Sequence, residues 1–258
     1  MSRTSTRRIQ SELPWLGILL LIILAIAFLL PVLPNDFWWY LRLGKDILTN
    51  GSVPAVDTFS STVYGQSVSY PMWLSAVFLF GLNEIGGLSA VVLARGILIA
   101  VFYALLWLIC VNNKIPGWLA ALLTLLCALA GANNWAVRPQ MFVYPFFGLA
   151  LWILTNDQWL APSPQDDPAP RSTAWQVYLL IPISLLWANL HGSVIVLFLL
   201  AVPVFLFRYR NKRFFIILCL SFLVTLINPR GFSLWLDSFN IIGAAGNAGA
   251  RSARRNSA

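Results

Sequence analysis

Residues 14–34 of the chain are PWLGILLLIILAIAFLLPVLP, and this stretch decides the fold class. It contains no charged residue, and about 20 consecutive apolar residues are what an α-helix needs to cross a bilayer. The stretch therefore predicts a first transmembrane helix. A cleaved signal peptide is the alternative, because Arg3, Arg7 and Arg8 precede the run. The apolar run is too long for a signal peptide, however, and no small-residue cleavage site follows it.

The composition of the whole chain agrees with a membrane protein. Hydrophobic residues make up 59% and charged residues 10%, and the mean hydropathy is +0.76. This is more apolar surface than a water-soluble core can bury, so a soluble globule is excluded. The formal net charge of +8 would favour nucleic acid in a soluble protein. Here the basic residues stand in short runs beside apolar stretches, which is typical of topology determinants, and we expect no nucleic-acid partner.

Further apolar runs predict an all-α, polytopic transmembrane helix bundle of about seven spans. The six additional spans are predicted at residues 88–111, 116–132, 140–154, 174–190, 193–207 and 214–227. Residues 72–82 are apolar but too few to cross, and a Gly-Gly pair follows them closely. We expect an interfacial or half-inserted helix there, leading into the second span.

These spans define a single transmembrane domain at residues 14–231, after a basic N-terminus at residues 1–13. Residues 232–258 end in an Ala/Gly/Arg/Ser-rich sequence without helical periodicity. That composition predicts a disordered tail.

Charge counting predicts the orientation. With the N-terminus in the cytoplasm, nine basic residues are inside and three are outside up to the seventh span, which obeys the positive-inside rule. The inside set is Arg3, Arg7, Arg8, Lys114, Arg171, Arg208, Arg210, Lys212 and Arg213, and the outside set is Arg42, Lys45 and Arg138. Four segments with unusual polar residues then share the outer face: a long first loop at 35–71, and segments 133–140, 188–193 and 227–232. This convergence is the main sequence indication of function.

The first outer loop begins with a carboxylate at the membrane surface, Asp36, which is placed to act as a general base. Trp38, Trp39 and Tyr40 follow it, and they are either an aromatic belt at the headgroup level or ligand contacts. A short amphipathic helix comes next and ends at Asn50-Gly51. Its apolar side is predicted from Leu41, Leu43, Ile47 and Leu48, and its polar side from Arg42, Lys45 and Asp46.

Other polar residues of these segments allow both a structural and a functional interpretation. Asp57 either caps its own turn with Thr58 or Ser60, or works with Asp36 in acid/base chemistry or in holding Mg²⁺ or Mn²⁺. Two carboxylates alone are a weak metal signal. His191, the single histidine, stands at the outer end of a span and is either structural or catalytic.

Three arginines are also candidates for ligand binding. Arg138 and Arg230 are each adjacent to a proline in the sequence, and each either pairs with a phosphate or anchors a helix end. Arg95 lies about two turns inside the second span, where it either snorkels to the surface or faces a polar cavity.

Motifs of soluble enzymes are missing from the sequence, including a Walker loop, GxSxG, a Rossmann fingerprint and HExxH. The pattern D-x-WW-x-L-x-x-G-x-x-I-L-x-x-G-x-V-P-x-x-D-x-F-S at residues 36–60 instead resembles the first outer loop of a group of bacterial polytopic proteins. That group is similar to the lipid-dependent C-type glycosyltransferases (GT-C). The segments RPQMF, ANLHG and INPRG fit the same group in the same order, and the resemblance covers residues 14–235.

The resemblance implies a cell-envelope enzyme of the bacterial cytoplasmic (inner) membrane that uses a sugar carried on a polyprenyl phosphate. A hexosyl or pentosyl group would pass to a glycan, lipid or protein acceptor on the outer face. Asp36 would activate the acceptor or bind a metal, Arg138 or Arg230 would hold the lipid phosphate, and Trp38 and Trp39 would contact the sugar or lipid. The remaining substrate-binding candidates are Tyr40, Arg42, Arg95, Gln140 and Asn189.

The chain also departs from this group. Relatives often have His where this chain has Tyr40, and Arg230 stands where an aromatic residue is expected between proline and glycine. Members usually have more spans, so the chain is either a glycosyltransferase of this type or a truncated or inactive relative. The alternative is a non-catalytic polytopic membrane protein, either a transporter fragment or an assembly partner. Transport would predict polar groups and broken helices deep in the spans, and only Arg95 is clearly inside one.

Overall fold

The computed structural model describes residues 3–32, 36–68, 70–156, 175–237 and 239, with side chains from Ser11 onward. These residues form an all-α structure, as the sequence predicts, with short 3-10 turns between helices. An isolated β-bridge joins Val56 to Ser67 within the first long loop. Residues 157–174 lie outside the described residues, so the chain before them is described up to Asn156 and the chain after them from Trp175.

Eight α-helices follow one another in the described chain. They are α1 (Arg3–Leu29), α2 (Phe37–Asn50), α3 (Trp73–Asn112), α4 (Gly117–Gly131), α5 (Tyr144–Leu154), α6 (Leu180–Leu190), α7 (Ile195–Phe207) and α8 (Lys212–Thr225). The 3-10 turns are Ala132–Asn134, Pro139–Val143, Trp175–Leu179 and Gly192–Val194. The first helix ends at Leu29 rather than at the predicted residue 34, since Pro31 lacks an N–H group and disfavours helical backbone before it.

Three helical segments are long and apolar enough to cross a membrane: Ser11–Leu29, Trp73–Asn112 and Gly117–Asn134. The apolar segments Pro139–Leu154, Trp175–Leu190 and Gly192–Phe207 are shorter and coincide with three further predicted spans. The structure therefore has the helices of a membrane protein by length and composition.

Helix α3 is broken near its first third. Its 40 residues would extend about 60 Å if straight, twice the roughly 30 Å of bilayer hydrocarbon. Gly86 (φ −152°, ψ 23°) and Gly87 (φ 60°, ψ −156°) leave the helical conformation and separate residues 73–85 from residues 88–112. The second part matches the predicted second span, and the first part is the short helix that the sequence predicts before it.

The bundle is closed at one end by contacts among α1, α3 and α4. The Gly117 N–H donates to Glu12 Oε2 at 3.0 Å, and Trp107 Nε1 donates to the Gly117 carbonyl at 3.2 Å. Ile23 and Ile99 are fully buried farther along the same interface. The beginnings of α1 and α4 therefore lie beside the end of α3, so α3 runs in the direction opposite to both.

The chain after α8 packs back onto the bundle. Leu234 and Trp235 are buried, and Trp235 Nε1 donates to Thr225 Oγ1 at 2.9 Å. The Trp235 ring also contacts the rings of Phe198 and Phe222. The first residues of the segment predicted as a tail are therefore part of the packed structure up to Asp237, and residues 240–258 lie outside the described residues.

Candidate functional site

The four polar segments meet at the end of the bundle opposite to Glu12. Asp36 of the first loop lies next to Arg138, and Trp73, just after that loop, is bonded to Asn189. Asn228 in turn donates to the carbonyl of Pro71 at 3.4 Å. The segments that the sequence analysis places on one face are thus in contact at one end of the structure.

Asp36 and Arg138 form a loose, exposed ion pair. Arg138 Nη2 is 3.9 Å from Asp36 Oδ2, which is too long for a hydrogen bond. The Asp36 side chain is 58% exposed and that of Arg138 is 40% exposed, yet Arg138 Nε is buried and has no hydrogen-bond partner among the described residues. A guanidinium has five N–H donors in a fixed fork. The exposed part of this guanidinium therefore retains capacity to donate to an anion such as a phosphate or a carboxylate.

Helix α2 holds Asp36 in place through close packing on α3. A Cβ atom on Gly44 would lie 2.2 Å from the Ala76 carbonyl oxygen, so the backbones touch where only glycine fits. Of the four residues predicted to form its apolar side, Leu41, Leu43 and Ile47 are buried and Leu48 is 55% exposed. The N–H group of Gly51 closes the helix on the Ile47 carbonyl at 2.9 Å.

The aromatic residues after Asp36 divide into one exposed and two packed side chains. Trp38 is exposed, whereas Trp39 makes edge-to-face contacts with Tyr40, Phe59 and Tyr70. Burial raises the pKa of Tyr40, and nearby Asp36 raises it further while Arg138 opposes this. Tyr40 is therefore a neutral phenol beside the ion pair at ordinary pH.

Asp57 is used by its own loop. Its Oδ1 accepts hydrogen bonds from the N–H groups of Phe59 at 2.9 Å and Ser60 at 2.7 Å. Asp57 is buried. Its backbone N–H group donates to the Gln66 carbonyl across the loop, and its carbonyl accepts the N–H group of Gly65. This is the turn-capping arrangement that the sequence left open against catalysis.

A divalent cation fits these residues poorly. Mg²⁺ and Mn²⁺ prefer several oxygen ligands, and no group of three or more His, Cys, Asp or Glu side chains occurs in the part of the chain that the structure describes. One oxygen of Asp57 already accepts two backbone N–H groups, which leaves Asp36 as the accessible carboxylate of the predicted pair.

Asn189 is buried and belongs to a partly buried hydrogen-bond cluster that joins three segments. We call Trp73, Ser75, Asn189 and Asn228 the amide cluster. Asn189 Oδ1 accepts from Trp73 Nε1 at 2.8 Å, and its Nδ2 donates to the carbonyls of Leu185 at 2.9 Å and Ile227 at 2.8 Å. Ser75 Oγ donates to the Leu190 carbonyl at 2.7 Å, and Asn228 Nδ2 to the Ala188 carbonyl at 2.6 Å. The cluster fastens the ends of α6 and α8 to the start of α3.

His191 caps the turn between α6 and α7. Its Nδ1 lies 2.8 Å from Ser193 Oγ and accepts the Ser193 N–H group at 3.2 Å, while Trp187 Nε1 donates to the same hydroxyl at 3.1 Å. Burial lowers the pKa of His191, which favours the neutral ring. In the described residues, no hydrogen bond or ion pair joins His191 to Asp36 or Arg138.

The remaining basic candidates are paired locally. The Arg230 side chain forms an ion pair with Asp237, and the backbone N–H group of Arg230 donates to Asn228 Oδ1 at 2.9 Å. Arg42 lies 3.1 Å from Asp46 one helical turn away, and its guanidinium lies 5.9 Å from the centre of the Phe59 ring. Gln140 is half-buried in the turn that follows Arg138.

Nothing among known protein families, curated proteins or solved structures matches this chain. The site is therefore defined by geometry, which brings together Asp36 and Arg138 and places Tyr40 beside them. Sequence reasoning missed Trp73, Ser75 and Asn228. The INPRG motif contained the signal for Asn228, but its arginine attracted the functional interpretation instead.

Arg95 is buried between helices. Its side chain does not extend to solvent, as snorkelling would require, because the residue has no exposed surface. Its Nη2 donates to the carbonyls of Ala27 at 2.6 Å and Leu30 at 2.7 Å, and its Nη1 to that of Pro31 at 3.4 Å. Arg95 therefore binds the C-terminal end of α1.

Proposed function

We propose that this chain is a membrane-embedded transferase of the GT-C kind, which moves a hexosyl or pentosyl group from a polyprenyl phosphate to a glycan, lipid or protein acceptor. The observation that carries the proposal is the pairing of Asp36 with Arg138. The Asp36 carboxylate and the incompletely bonded Arg138 guanidinium are far apart in the sequence but lie next to each other at the exposed surface. Both lie in the motifs that resemble this group of enzymes.

The proposed topology has seven crossings of the bacterial cytoplasmic membrane, with the N-terminus in the cytoplasm. Three long apolar helices and three shorter apolar segments support six of the crossings, and α8 coincides with the seventh predicted span. The distribution of Lys and Arg supports the orientation. In this arrangement the pair faces the outside and the contact between Glu12 and Gly117 faces the cytoplasm.

The proposed chemistry uses one acid/base group and one anion-binding group. The acceptor oxygen attacks the anomeric carbon, the bond from that carbon to the phosphate oxygen breaks, and Asp36 takes the acceptor proton. Negative charge increases on the departing phosphate, where the N–H groups of Arg138 stabilise it. The exposed ring of Trp38 is available to stack on the sugar.

The other predicted catalytic residues support this site indirectly. Asp57 shapes the first loop, and His191 caps a turn. Arg230 pairs with Asp237, so Arg138 is the better phosphate ligand of the two arginines. The proposal therefore gives Asp36 and Arg138 the chemical roles and needs no step through a metal ion.

Transfer of labelled sugar by the purified protein tests the proposal directly. The protein in lipid nanodiscs is incubated with polyprenyl-phosphate hexoses or pentoses and with candidate acceptors, and labelled product is counted. We expect Asp36→Asn and Arg138→Gln to abolish transfer. Asp46→Asn is the matched control, because Asp46 is a carboxylate of the same loop that pairs with Arg42 instead. Normal turnover by Asp36→Asn would remove the assigned role.

A non-catalytic membrane protein, either a transporter fragment or an assembly partner, is the second candidate. It is favoured by the use of Asn189, Asn228 and Asp57 in packing and turn formation rather than in an open site. Solute uptake by proteoliposomes, together with no sugar transfer by the wild-type protein, would place it first.

A further inference from the structure

Arg95 is a buried charge without a carboxylate partner among the contacts of the described residues. Its three acceptors are backbone carbonyls of Ala27, Leu30 and Pro31 at the end of α1. The last carbonyls of a helix have no partner within the helix and carry partial negative charge. The guanidinium therefore satisfies these carbonyls, and they compensate its positive charge.

The Arg95 guanidinium and the carbonyls at the end of α1 would each destabilise the structure if they did not contact each other. An unpaired charge and an unpaired carbonyl in an apolar interior are each strongly unfavourable. Gly96, the next residue, also faces α1, since a Cβ there would lie in ordinary van der Waals contact, at 3.4 Å, with side-chain atoms of Leu24 and Phe28. The contact thus holds the end of α1 at one fixed height along α3.

The end of α1 is also close to the ion pair along the chain. Asp36 follows Pro31 by five positions, so their Cα atoms lie at most about 18 Å apart, at roughly 3.6 Å per residue. On α3, Val91 is one turn before Arg95 and belongs to the buried cluster that contains Phe37 and Val137. These two residues are the immediate neighbours of Asp36 and Arg138. The same part of α3 therefore supports both members of the pair.

We propose that Arg95 is a positioning residue, which fixes the end of α1 on α3 and thereby sets the separation of Asp36 and Arg138. The chemical consequence rests on the proposed transferase function, whereas the structural consequence does not. This separates Arg95 from the substrate-binding role expected from its position in the sequence. A residue that binds the donor would contact ligand, and Arg95 contacts α1.

The structural consequence is tested by distances between spin labels. Labels are attached to Lys45→Cys on α2 and Ala136→Cys before Arg138, after Cys110, Cys127 and Cys219 are replaced by alanine. We expect the distance distribution to broaden from the wild-type chain through Arg95→Lys to Arg95→Gln, because lysine keeps the charge but lacks the planar fork. Arg42→Gln is the matched control, since Arg42 is an exposed arginine of the same region, and it should leave the distribution unchanged.

A wild-type distribution in Arg95→Gln would overturn the proposal. If Arg95→Gln is not recovered as a folded protein, Arg95→Lys is compared with the wild-type chain. A broader distribution then supports the proposal, and an unchanged distribution overturns it.

The chemical consequence is tested by steady-state kinetics with polyprenyl-phosphate sugar. We expect Arg95→Lys to lower kcat about 10- to 100-fold, as misplacement of reacting groups does, with KM for the donor unchanged. A higher KM with unchanged kcat would make Arg95 a donor ligand and overturn the positioning role. No transfer by the wild-type chain would refute the proposed function and leave the distance result as the test of Arg95.

Discussion

The amide cluster and the pair of Asp36 and Arg138 occupy the same end of the bundle but treat their polar groups differently. In the cluster, Asn189 makes three hydrogen bonds of 2.8 to 2.9 Å and is buried. In the pair, the closest approach is 3.9 Å, both side chains are exposed, and Arg138 Nε has no hydrogen-bond partner in the described part of the chain. Polar groups that are fully bonded stabilise a structure, whereas incompletely bonded groups remain available to a ligand. The difference assigns packing to the cluster and favours the pair as the proposed ligand site.

The largest effect on stability is expected for Asn189→Ala. The change leaves Trp73 Nε1 and the Ile227 carbonyl without their partners in a partly buried region. Each such group costs about 1–3 kcal/mol, so we expect the free energy of unfolding in detergent to fall by about 3 kcal/mol. Trp73→Phe in the same background should cost less than in the wild-type chain, because its partner is already absent. An equal loss of unfolding free energy from Trp73→Phe in both backgrounds would show that Trp73 and Asn189 do not stabilise each other.

A smaller effect is expected for Gly44→Ala, which tests how the pair is supported. The new methyl group would meet the Ala76 carbonyl at 2.2 Å and force α2 away from α3. Overpacking of this kind costs about 1–3 kcal/mol, measured as a lower free energy of unfolding. Gly17→Ala in α1 is the matched control, because a Cβ there meets no atom within 4 Å. If both changes are neutral, the close approach of α2 to α3 does not hold in solution.

His191 is expected to give a modest pH dependence of stability. Burial lowers its pKa in the folded chain below the ordinary value of 6.5. As the pH falls below 6.5, the unfolded chain takes up a proton that the folded chain does not, so the free energy of unfolding decreases. The decrease stops below the folded pKa. Thermal unfolding of wild type and His191→Gln between pH 5 and 7.5 checks this, and the chain has no other histidine to contribute.

The smallest effect on stability is expected for Asp36→Asn and Arg138→Gln. Exposed ion pairs contribute about 0–1 kcal/mol, and this pair is long, so each change should alter the free energy of unfolding by less than about 0.5 kcal/mol. Sugar transfer should nevertheless be lost in both variants. Destabilisation as large as that of Asn189→Ala would show that the pair stabilises the fold as the amide cluster does, and the difference between the two regions would not hold.

Local features of the sequence predicted the local structure well. The alternation of apolar and charged residues gave α2 and its end at Gly51, and the Gly-Gly pair gave the break in α3. Both follow from intrinsic backbone preferences and from burial of one helix face. The alternative of turn capping for Asp57 was also visible, because its bonds reach only two and three residues ahead.

Long-range partners were beyond sequence reasoning. Asn228 was adjacent to a suspected phosphate ligand, but its bonds to Pro71 and Ala188 depend on how α8 packs beside α6. Arg95 was correctly marked as unusual, yet the acceptors at the end of α1 could not be deduced from its spacing. The contact of Arg138 with Asp36 likewise depends on the packing of the turn after α4 against α2. Hydrophobic periodicity fixes which face is buried and leaves the partner open.

The contact of Arg95 with α1 also affects how the chain enters a bilayer during synthesis. An arginine within a lone helix raises its insertion free energy, by up to about 2.5–3.5 kcal/mol at the helix centre and by less toward the helix ends. The carbonyls that bind Arg95 belong to the last turn of α1 and the two residues after it, and this segment leaves the ribosome before α3. The second part of α3 is therefore inserted more favourably beside α1 than alone, and the two helices are expected to enter the membrane as an antiparallel pair.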